Sequence, residues 1–318
     1  MKVLIADDDP ISRLVVERSL KKWGYDVVSV SDGNAAHQAL LADDTPRLAV
    51  LDWMMPGFTG PELCHEVRQR VGRPYTYLLL VTSREGKEDV ISGLNAGADD
   101  YLTKPVHPEE LHARLRVGVR ILELEDKLVA AQEVLLHKAT HDSLTGLLNR
   151  AAIMDLLRRE LARAPRENSC CGVVLADLDH FKAVNDSRGH AAGDEVLRES
   201  AQRLTAAVRG YDAVGRYGGE EFLLVLPGCD ATALRDRAEH ILAAFRDRSF
   251  EAAGETLRVT VSMGAASSAD WPEATPDSLV RCADGSLYRA KRSGRDRTEI
   301  AKREEVHEPA EARLVTLK

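Results

Sequence analysis

"RYGGEEFLLVLP", residues 216–227, sets two glycines and two glutamates between one apolar run and the next. The glycines predict a hairpin turn that needs positive φ, and Phe222 to Leu226 reads as a core strand. A bare turn pairs Asn or Asp with Gly and has no use for adjacent carboxylates followed at once by an aromatic. On this motif alone a solvated hairpin tip would account for the glutamates. Their meaning depends on what else in the chain can meet them.

Upstream, "CGVVLADLDHFKAVND" is an apolar strand, Cys171 to Ala176, ending in Asp177 and Asp179 and followed by Lys182 and Asn185. "SRGHAAGDEVLRE" then supplies a glycine-rich turn opening a helix, with Asp194 at its start. If the strand lies beside the Gly218–Gly219 hairpin, Asp177 meets Glu220 or Glu221 at the edge of a sheet. Two or three carboxylates sharing divalent metal ions is an arrangement that moves phosphoryl and nucleotidyl groups.

From "DSLTGLLNR" at Asp142 to "AKRSGRDR" ending at Arg297, this half resembles the GGDEF family of diguanylate cyclases, in the glutamate-bearing form of the signature. The resemblance implies a polymerase-palm-like α+β fold that joins two GTP molecules into cyclic di-GMP and releases two pyrophosphates. It implies Mg²⁺ on Asp177, the Leu178 carbonyl and Glu220, supported by Glu221. Asn185 and Asp194 would read the guanine edge with His190 close by, and Phe181, Lys182, Lys291 and Arg295 would hold the triphosphate. Lys182 would offset charge in the transition state, and Glu220 would help remove the hydroxyl proton. An Asp at 194 favours a guanine-only product, because adenine lacks the matching donors. Each subunit would bind one GTP, so a homodimer is part of the implied chemistry.

"RGYD", Arg209 to Asp212, has the RxxD spacing that marks a product-inhibition site in this family, although an Arg three residues before an Asp is equally the pattern of a surface ion pair. His240 stands where relatives with this site carry a second arginine. Arg289, Lys291, Arg292, Arg295 and Arg297 form a dense basic stretch, which phosphate binding explains better than nucleic acid in an acidic protein.

Residues 1 to about 105 alternate "KVLIA", "DVVSV", "LAVLD", "YLLLV" and "DYLT" with amphipathic stretches, predicting a doubly wound, five-stranded parallel sheet. Function in such sheets gathers at the carboxyl ends of the strands. Those ends carry Asp7, Asp8, Asp9, Asp52, Thr82 and Lys104, and carboxylates converging there call for a hard cation such as Mg²⁺. "IADDDP", "VLDWMMPGFTG", "LLLVTS" and "DDYLTKP" resemble the receiver domain of response regulators. The resemblance implies that Asp52 accepts a phosphoryl group from a cognate histidine kinase of a two-component system. Asp8 would bind Mg²⁺ directly and Asp7 through water, with the Trp53 carbonyl a further ligand. Thr82 and Lys104 would bind phosphoryl oxygens and Tyr101 would be the aromatic switch. Pro105 reads as part of a fixed, cis turn that aims the lysine.

Between the halves, Val117, Ile121, Leu124, Leu128, Ala131 and Leu135 step by four and three, and Leu115, Leu122, Val129 and Leu136 form a second line at seven-residue spacing. One long helix pairing with a second copy is expected, with two neighbouring seams between which phosphorylation would shift the pair. A helix packed on its own domain is the alternative.

The expected organisation is therefore an α/β receiver at 1–118, a helical coiled-coil linker at 119–140, the α+β cyclase domain at 141–302, and a mobile tail at 303–318. At 318 residues, 44% apolar and 30% charged, the chain is globular. Its net charge of −8 argues against nucleic acid or anionic lipid as a partner. Five cysteines without CxxC spacing read as free thiols in a reducing compartment. "MKVLIADDDP" is too short and too acidic for a signal peptide, and no apolar run approaches membrane length, so a soluble cytoplasmic location is expected. Two other classes compete with a regulated cyclase. One is a catalytically dead cyclic di-GMP-binding module, against which Asp177, Lys182, Glu220 and Glu221 argue. The other is a transcriptional regulator, for which no helix-turn-helix pattern appears.

Overall fold

The computed structural model describes residues 1–42, 44–70, 72–83, 87–252 and 254–303. The tail expected at 303–318 lies outside the described residues beyond Arg303. The chain divides into two compact units, Met1–Glu133 and Val134–Lys318.

The first unit runs β1 (Lys2–Ala6), α1 (Pro10–Lys22), β2 (Asp26–Val30), α2 (Gly33–Leu41), β3 (Leu48–Asp52), α3 (Gly60–Arg68), β4 (Tyr77–Thr82), α4 (Lys87–Asn95), β5 (Asp100–Thr103) and α5 (Pro108–Thr140), whose last turns, from Val134, belong to the second unit. The sheet order is β2-β1-β3-β4-β5, with every pairing parallel. Side chains alternate between two cores, as a period of two dictates. Val3, Ile5, Val50, Leu79 and Val81 pack with Val16 and Leu20 of α1 and with Leu111, Leu115 and Leu122 of α5. Leu4, Ala6, Ala49, Leu51, Leu78 and Leu80 pack with α2 and α3 on the other face. β3 and β4 are buried throughout, which is why they read as unbroken apolar runs. The strand order reverses at β1, so the ends of β1 and β3 flank the crevice where such sheets bind ligands.

α5 continues through 33 residues, about 50 Å at 1.5 Å per residue. Glu109 and Glu110 in its first turn and His137 and Lys138 in its last complement the helix dipole. Its two apolar lines have different fates. Val117, Leu124, Leu128 and Leu135 are more than half exposed. In the second line Leu115 and Leu122 are fully buried against their own sheet, whereas Val129 and Leu136 are exposed. The expectation of two parallel seams is corrected here: the sheet's need for a helical cover consumes the first half of one of them.

The second unit runs α6 (Arg150–Arg163), β6 (Cys171–Leu178), α7 (Phe181–Ala207), β7 (Ala213–Arg216), β8 (Glu221–Pro227), α8 (Ala231–Arg246), β9 (Phe250–Ala252), β10 (Glu255–Leu257), β11 (Val261–Ser267), α9 (Pro276–Arg292) and β12 (Thr298–Ile300). Its main sheet has the order β12-β11-β6-β8-β7, antiparallel except for β11 with β12, and β9 and β10 form a separate hairpin. β6 lies at the centre and all eight of its residues are buried. It extends past the expected end at Ala176, because Asp177 and Leu178 still have partners on β8 and β11. α7 and α8 cover one face and α6 and α9 the other.

All five cysteines are free, and burial pushes the Cys64 and Cys171 thiols up to about 12, which leaves them protonated and inert. Among the described residues, no helix is long and apolar enough to cross a membrane.

α9 approaches β11 backbone to backbone at Gly264, where an added Cβ would lie 2.1 Å from both the Ala283 carbonyl oxygen and the Leu287 nitrogen. Neither atom can rotate away. Gly264→Ala is expected to cost about 3 kcal/mol, the upper end of overpacking penalties, read as a lower urea midpoint at unchanged slope; an unchanged midpoint would show that the helix lifts freely.

Candidate active site

In the first unit the crevice gathers Asp7, Asp8 and Asp52, whose carboxylate oxygens lie within 4.8 Å of one another. Asp7 and Asp52 are buried and Asp8 is exposed. The Lys104 ammonium lies 2.9 Å from Asp52 Oδ2 and 3.1 Å from Asp7 Oδ2, and the Lys104–Pro105 bond that follows is cis. Asp7 also accepts from the Asp9 N–H at 2.9 Å and the Ser12 hydroxyl at 2.8 Å, while Asp9 caps α1. Thr82 is buried at the end of β4, and its carbonyl accepts the Lys104 N–H at 2.8 Å. Tyr101 is half-buried on β5, packed against the second core. The Trp53 carbonyl accepts the Gly60 N–H at 3.1 Å, which leaves it a second lone pair.

Burial raises the Asp52 pKa; Lys104 opposes that shift, and Asp7 and Asp8 reinforce it. Burial works against the Lys104 ammonium too, but its bonds to Asp52 and Asp7 prevail and raise its pKa. Three carboxylates against one ammonium leave the crevice net negative. This all-oxygen donor set suits a hard divalent cation.

In the second unit the register pairs Asp177 on β6 with Glu221 on β8, and the Leu178 N–H donates to the Glu220 carbonyl at 3.3 Å. The turn therefore stands directly across from the end of the central strand. Neither of its glycines adopts positive φ, contrary to the expectation from the motif. A Cβ at Gly218 would lie 2.5 Å from Glu221 Oε2, so a side chain there would displace the tip of that carboxylate. Lys291 of α9 lies 2.7 Å from Asp177 Oδ2. Burial raises the pKa of both Asp177 and Glu221; Lys291 opposes this, and repulsion among the carboxylates adds to it. Among the described residues only Asp7, Asp8 and Asp52 form a group of three such ligands within 4.8 Å, so the cyclase-half carboxylates are less tightly gathered. Their oxygen chemistry still suits Mg²⁺.

Phe181 is buried at the start of α7 and Lys182 is exposed beside it. α7 bends at Gly189, with Asn185 before the bend, and the exposed His190 and the half-exposed Asp194 after it. Lys291, expected on the triphosphate, lies beside Asp177 and pairs with it. Arg295, at φ 60°, comes within 4.0 Å of Asp179. Arg209 is exposed, but the Asp212 side chain is only 1% exposed, and Arg237 of α8 pairs with it.

Two further residues have structural weight that the motifs did not assign. Asp179 is buried and accepts from the Thr260 and Ser262 hydroxyls, each at 2.7 Å, and from the Asp296 N–H at 3.1 Å. It thereby ties the end of β6 to β11 and to the segment after α9. Asp142, which follows α5, accepts from the Thr145 N–H and hydroxyl and from Arg216 Nη1 at 3.1 Å. Arg216 in turn donates to the Gly219 carbonyl at 2.8 and 3.0 Å. One guanidinium thus connects the end of the long helix to the glutamate turn. The only sequence signal was an Arg directly before the YGGEE turn.

The profile of the family described as "Diguanylate cyclase, GGDEF domain" matches residues 139–297. The chain belongs to this GGDEF family. Residues 3–116 match the response regulator receiver domain. Among characterised relatives, the response regulator PleD of Caulobacter vibrioides is 32% identical over 300 residues, which is 93% of this chain and 64% of PleD. Diguanylate cyclase DgcP of Pseudomonas aeruginosa is 38% identical over 216 residues, 66% of this chain and 32% of DgcP. The chain thus spans less than two thirds of the length of these relatives. Among solved structures, the coiled coil and GGDEF domain of DgcB from Caulobacter crescentus, in complex with c-di-GMP, superposes with TM-score 0.54 at 32% identity, covering 60% of this chain and 99% of that one. Diguanylate cyclase SiaD from Pseudomonas aeruginosa, in complex with its activator SiaC, gives 0.50 at 34%, covering 61% and 75%.

Partial burial opposes the Asp142 carboxylate, but Thr145 and Arg216 together prevail and hold its pKa below the ordinary 3.8. A depressed folded pKa contributes stability above the unfolded value and loses it as pH falls through the folded one. In this GGDEF protein Asp142→Asn should therefore be destabilised near neutral pH, with the gap to wild type closing below about pH 3.8, as followed by urea denaturation across pH; a gap constant with pH would rule out the ion pair.

Proposed function

We propose that this chain is a phosphorylation-regulated diguanylate cyclase, condensing two GTP into cyclic di-GMP with release of two pyrophosphates. The observation that carries the proposal is the β6–β8 register, which brings Asp177 opposite Glu221 with Glu220 bonded to the next residue. Mg²⁺ held by Asp177, the Leu178 carbonyl and Glu220, supported by Glu221, would polarise the α-phosphate and stabilise the leaving pyrophosphate. Phe181, Lys182 and Arg295 hold the triphosphate; Lys291, from beside Asp177, joins them. Asn185 and Asp194 on the two arms of α7 take the guanine edge, near His190, and Asp194 selects for guanine. The 3′-hydroxyl of one GTP attacks the α-phosphorus of the other, the P–O bond to pyrophosphate breaks, and Glu220 receives the hydroxyl proton. A second, symmetric step closes the ring.

One domain holds one GTP, so two copies must face each other. The exposed Leu124, Leu128, Val134 and Leu135 on α5 suit a paired helix, and the relative DgcB was solved with a coiled coil. A histidine kinase would supply the phosphoryl group to Asp52, and Asp8, Asp52 and the Trp53 carbonyl, with Asp7 through water, would hold the Mg²⁺ that offsets its charge. Thr82 and Lys104 take up the phosphoryl oxygens and Tyr101 responds. Arg209 and Asp212 form a site for inhibition by product. The cytoplasm, where GTP and the kinase's phosphodonor domain reside, is the expected compartment.

Incubating the purified chain with Mg²⁺ and GTP, with and without beryllofluoride, tests the proposal. Cyclic di-GMP should accumulate faster with beryllofluoride, and Asp52→Asn should lose that stimulation. Glu220→Gln should lower turnover on the order of a hundredfold. Product binding without turnover under any condition would instead make the protein a dead binding module. Single cysteines at positions 124, 128 and 135 should cross-link between copies, and activation should shift yield toward 129 and 136, the exposed remainder of the second line. An unchanged pattern would exclude a change of register.

A further inference from the structure

We propose that Arg237 is an internal latch on the product-inhibition site, occupying the Asp212 carboxylate so that cyclic di-GMP binds there only after displacing it. The inference rests on reading Arg209 and Asp212 as that site. The two residues are presented very differently. Arg209 is exposed, donating to the Tyr211 hydroxyl at 2.5 Å from a tyrosine that is itself 61% exposed. Asp212 is closed. Its side chain is 1% exposed, and Oδ2 accepts both the Arg209 N–H at 2.8 Å and the Arg237 guanidinium from α8. Arg237 is itself 15% exposed, so the pair is enclosed on both sides.

The competition is chemically close. Guanine would present N1–H and N2–H₂, two neighbouring donors, to that carboxylate. A guanidinium presents neighbouring N–H donors too, with a full positive charge, and charge-assisted pairs are the stronger kind. Because α8 is part of the same domain, Arg237 competes at high effective concentration. The location on the helix fits this role. Position 240, one turn further along α8, carries an exposed His rather than a second arginine for the ligand. The helix thus directs its guanidinium inward to Asp212 while leaving no arginine at 240 to grip product. Arg209 alone remains open to a phosphate, which predicts weak feedback.

The test is inhibition of GTP turnover by added cyclic di-GMP, using the full chain with beryllofluoride, GTP varied, and each variant compared with its own uninhibited rate. Arg237→Ala should lower the inhibitory concentration about tenfold, and adding Asp212→Asn should remove that gain. Asp212→Asn alone should shift it by no more than about twofold, since in the wild type Arg237 holds the carboxylate in most molecules and Arg209 supplies most of the grip on product. Unchanged or weaker inhibition in a folded Arg237→Ala overturns the latch. If that variant does not fold, Asp212→Asn decides: inhibition weakened about tenfold means that Asp212 already reads product. Two outcomes separate the latch from the site. If Arg209→Ala removes a component not competitive with GTP while Arg237→Ala leaves it unchanged, the site stands and the latch falls. If inhibition is purely competitive in every variant and indifferent to Arg209→Ala, the site itself is wrong.

Discussion

Like charges facing each other across adjacent strands are costly, and the second unit is organised around tolerating them. Asp177 and Glu221 occupy paired positions on β6 and β8, both partly desolvated, both with raised pKa. Each of the elements around them reduces that cost. α9 brings the Lys291 ammonium to Asp177, and Gly218 leaves the Glu221 carboxylate where it is, since a Cβ there would push its tip aside. Asp179, two residues beyond Asp177, adds to the repulsion on it, but two hydroxyls and a backbone N–H satisfy its own carboxylate, and it fastens β6, β11 and the segment after α9 together.

The first unit meets the same problem differently. Its three carboxylates converge within 4.8 Å and share one lysine, which leaves more unbalanced charge in a smaller space. A crevice of that kind is sensitive to any change in local charge, which is why the proposed phosphoryl transfer to Asp52 would be felt there. α5 packs Leu111, Leu115 and Leu122 on the same sheet. In the other unit, the residues just past the end of that helix reach the glutamate turn through Asp142 and Arg216.

Legibility in the sequence followed the strength of local patterning. The five receiver strands appear as apolar runs because a doubly covered parallel sheet demands them, and Asp7, Asp8, Asp52 and Lys104 sit at strand ends whose spacing along the chain is regular. The β6 strand and the YGGEE turn were visible for the same reason. The turn's backbone was not: neither Gly218 nor Gly219 has positive φ, and the close neighbour of Gly218 is the Glu221 carboxylate, which no hairpin rule contains. The two apolar lines of α5 were equally periodic, yet one is half consumed by the receiver core. Periodicity states that a face is apolar and not what covers it.

By itself the sequence determined the element order, the two sheet types, the identity of the carboxylates and lysines and the strands that end in them, because these depend on short-range pattern and residue chemistry. Only the tertiary structure decided which charges meet. Lys291 lies on Asp177 across 114 positions of chain, Arg216 on Asp142 across 74, and Arg237 on Asp212 across 25. Ion pairs carry no periodicity, and the partner of a charged side chain is set by how sheets and helices stack, which local sequence does not encode.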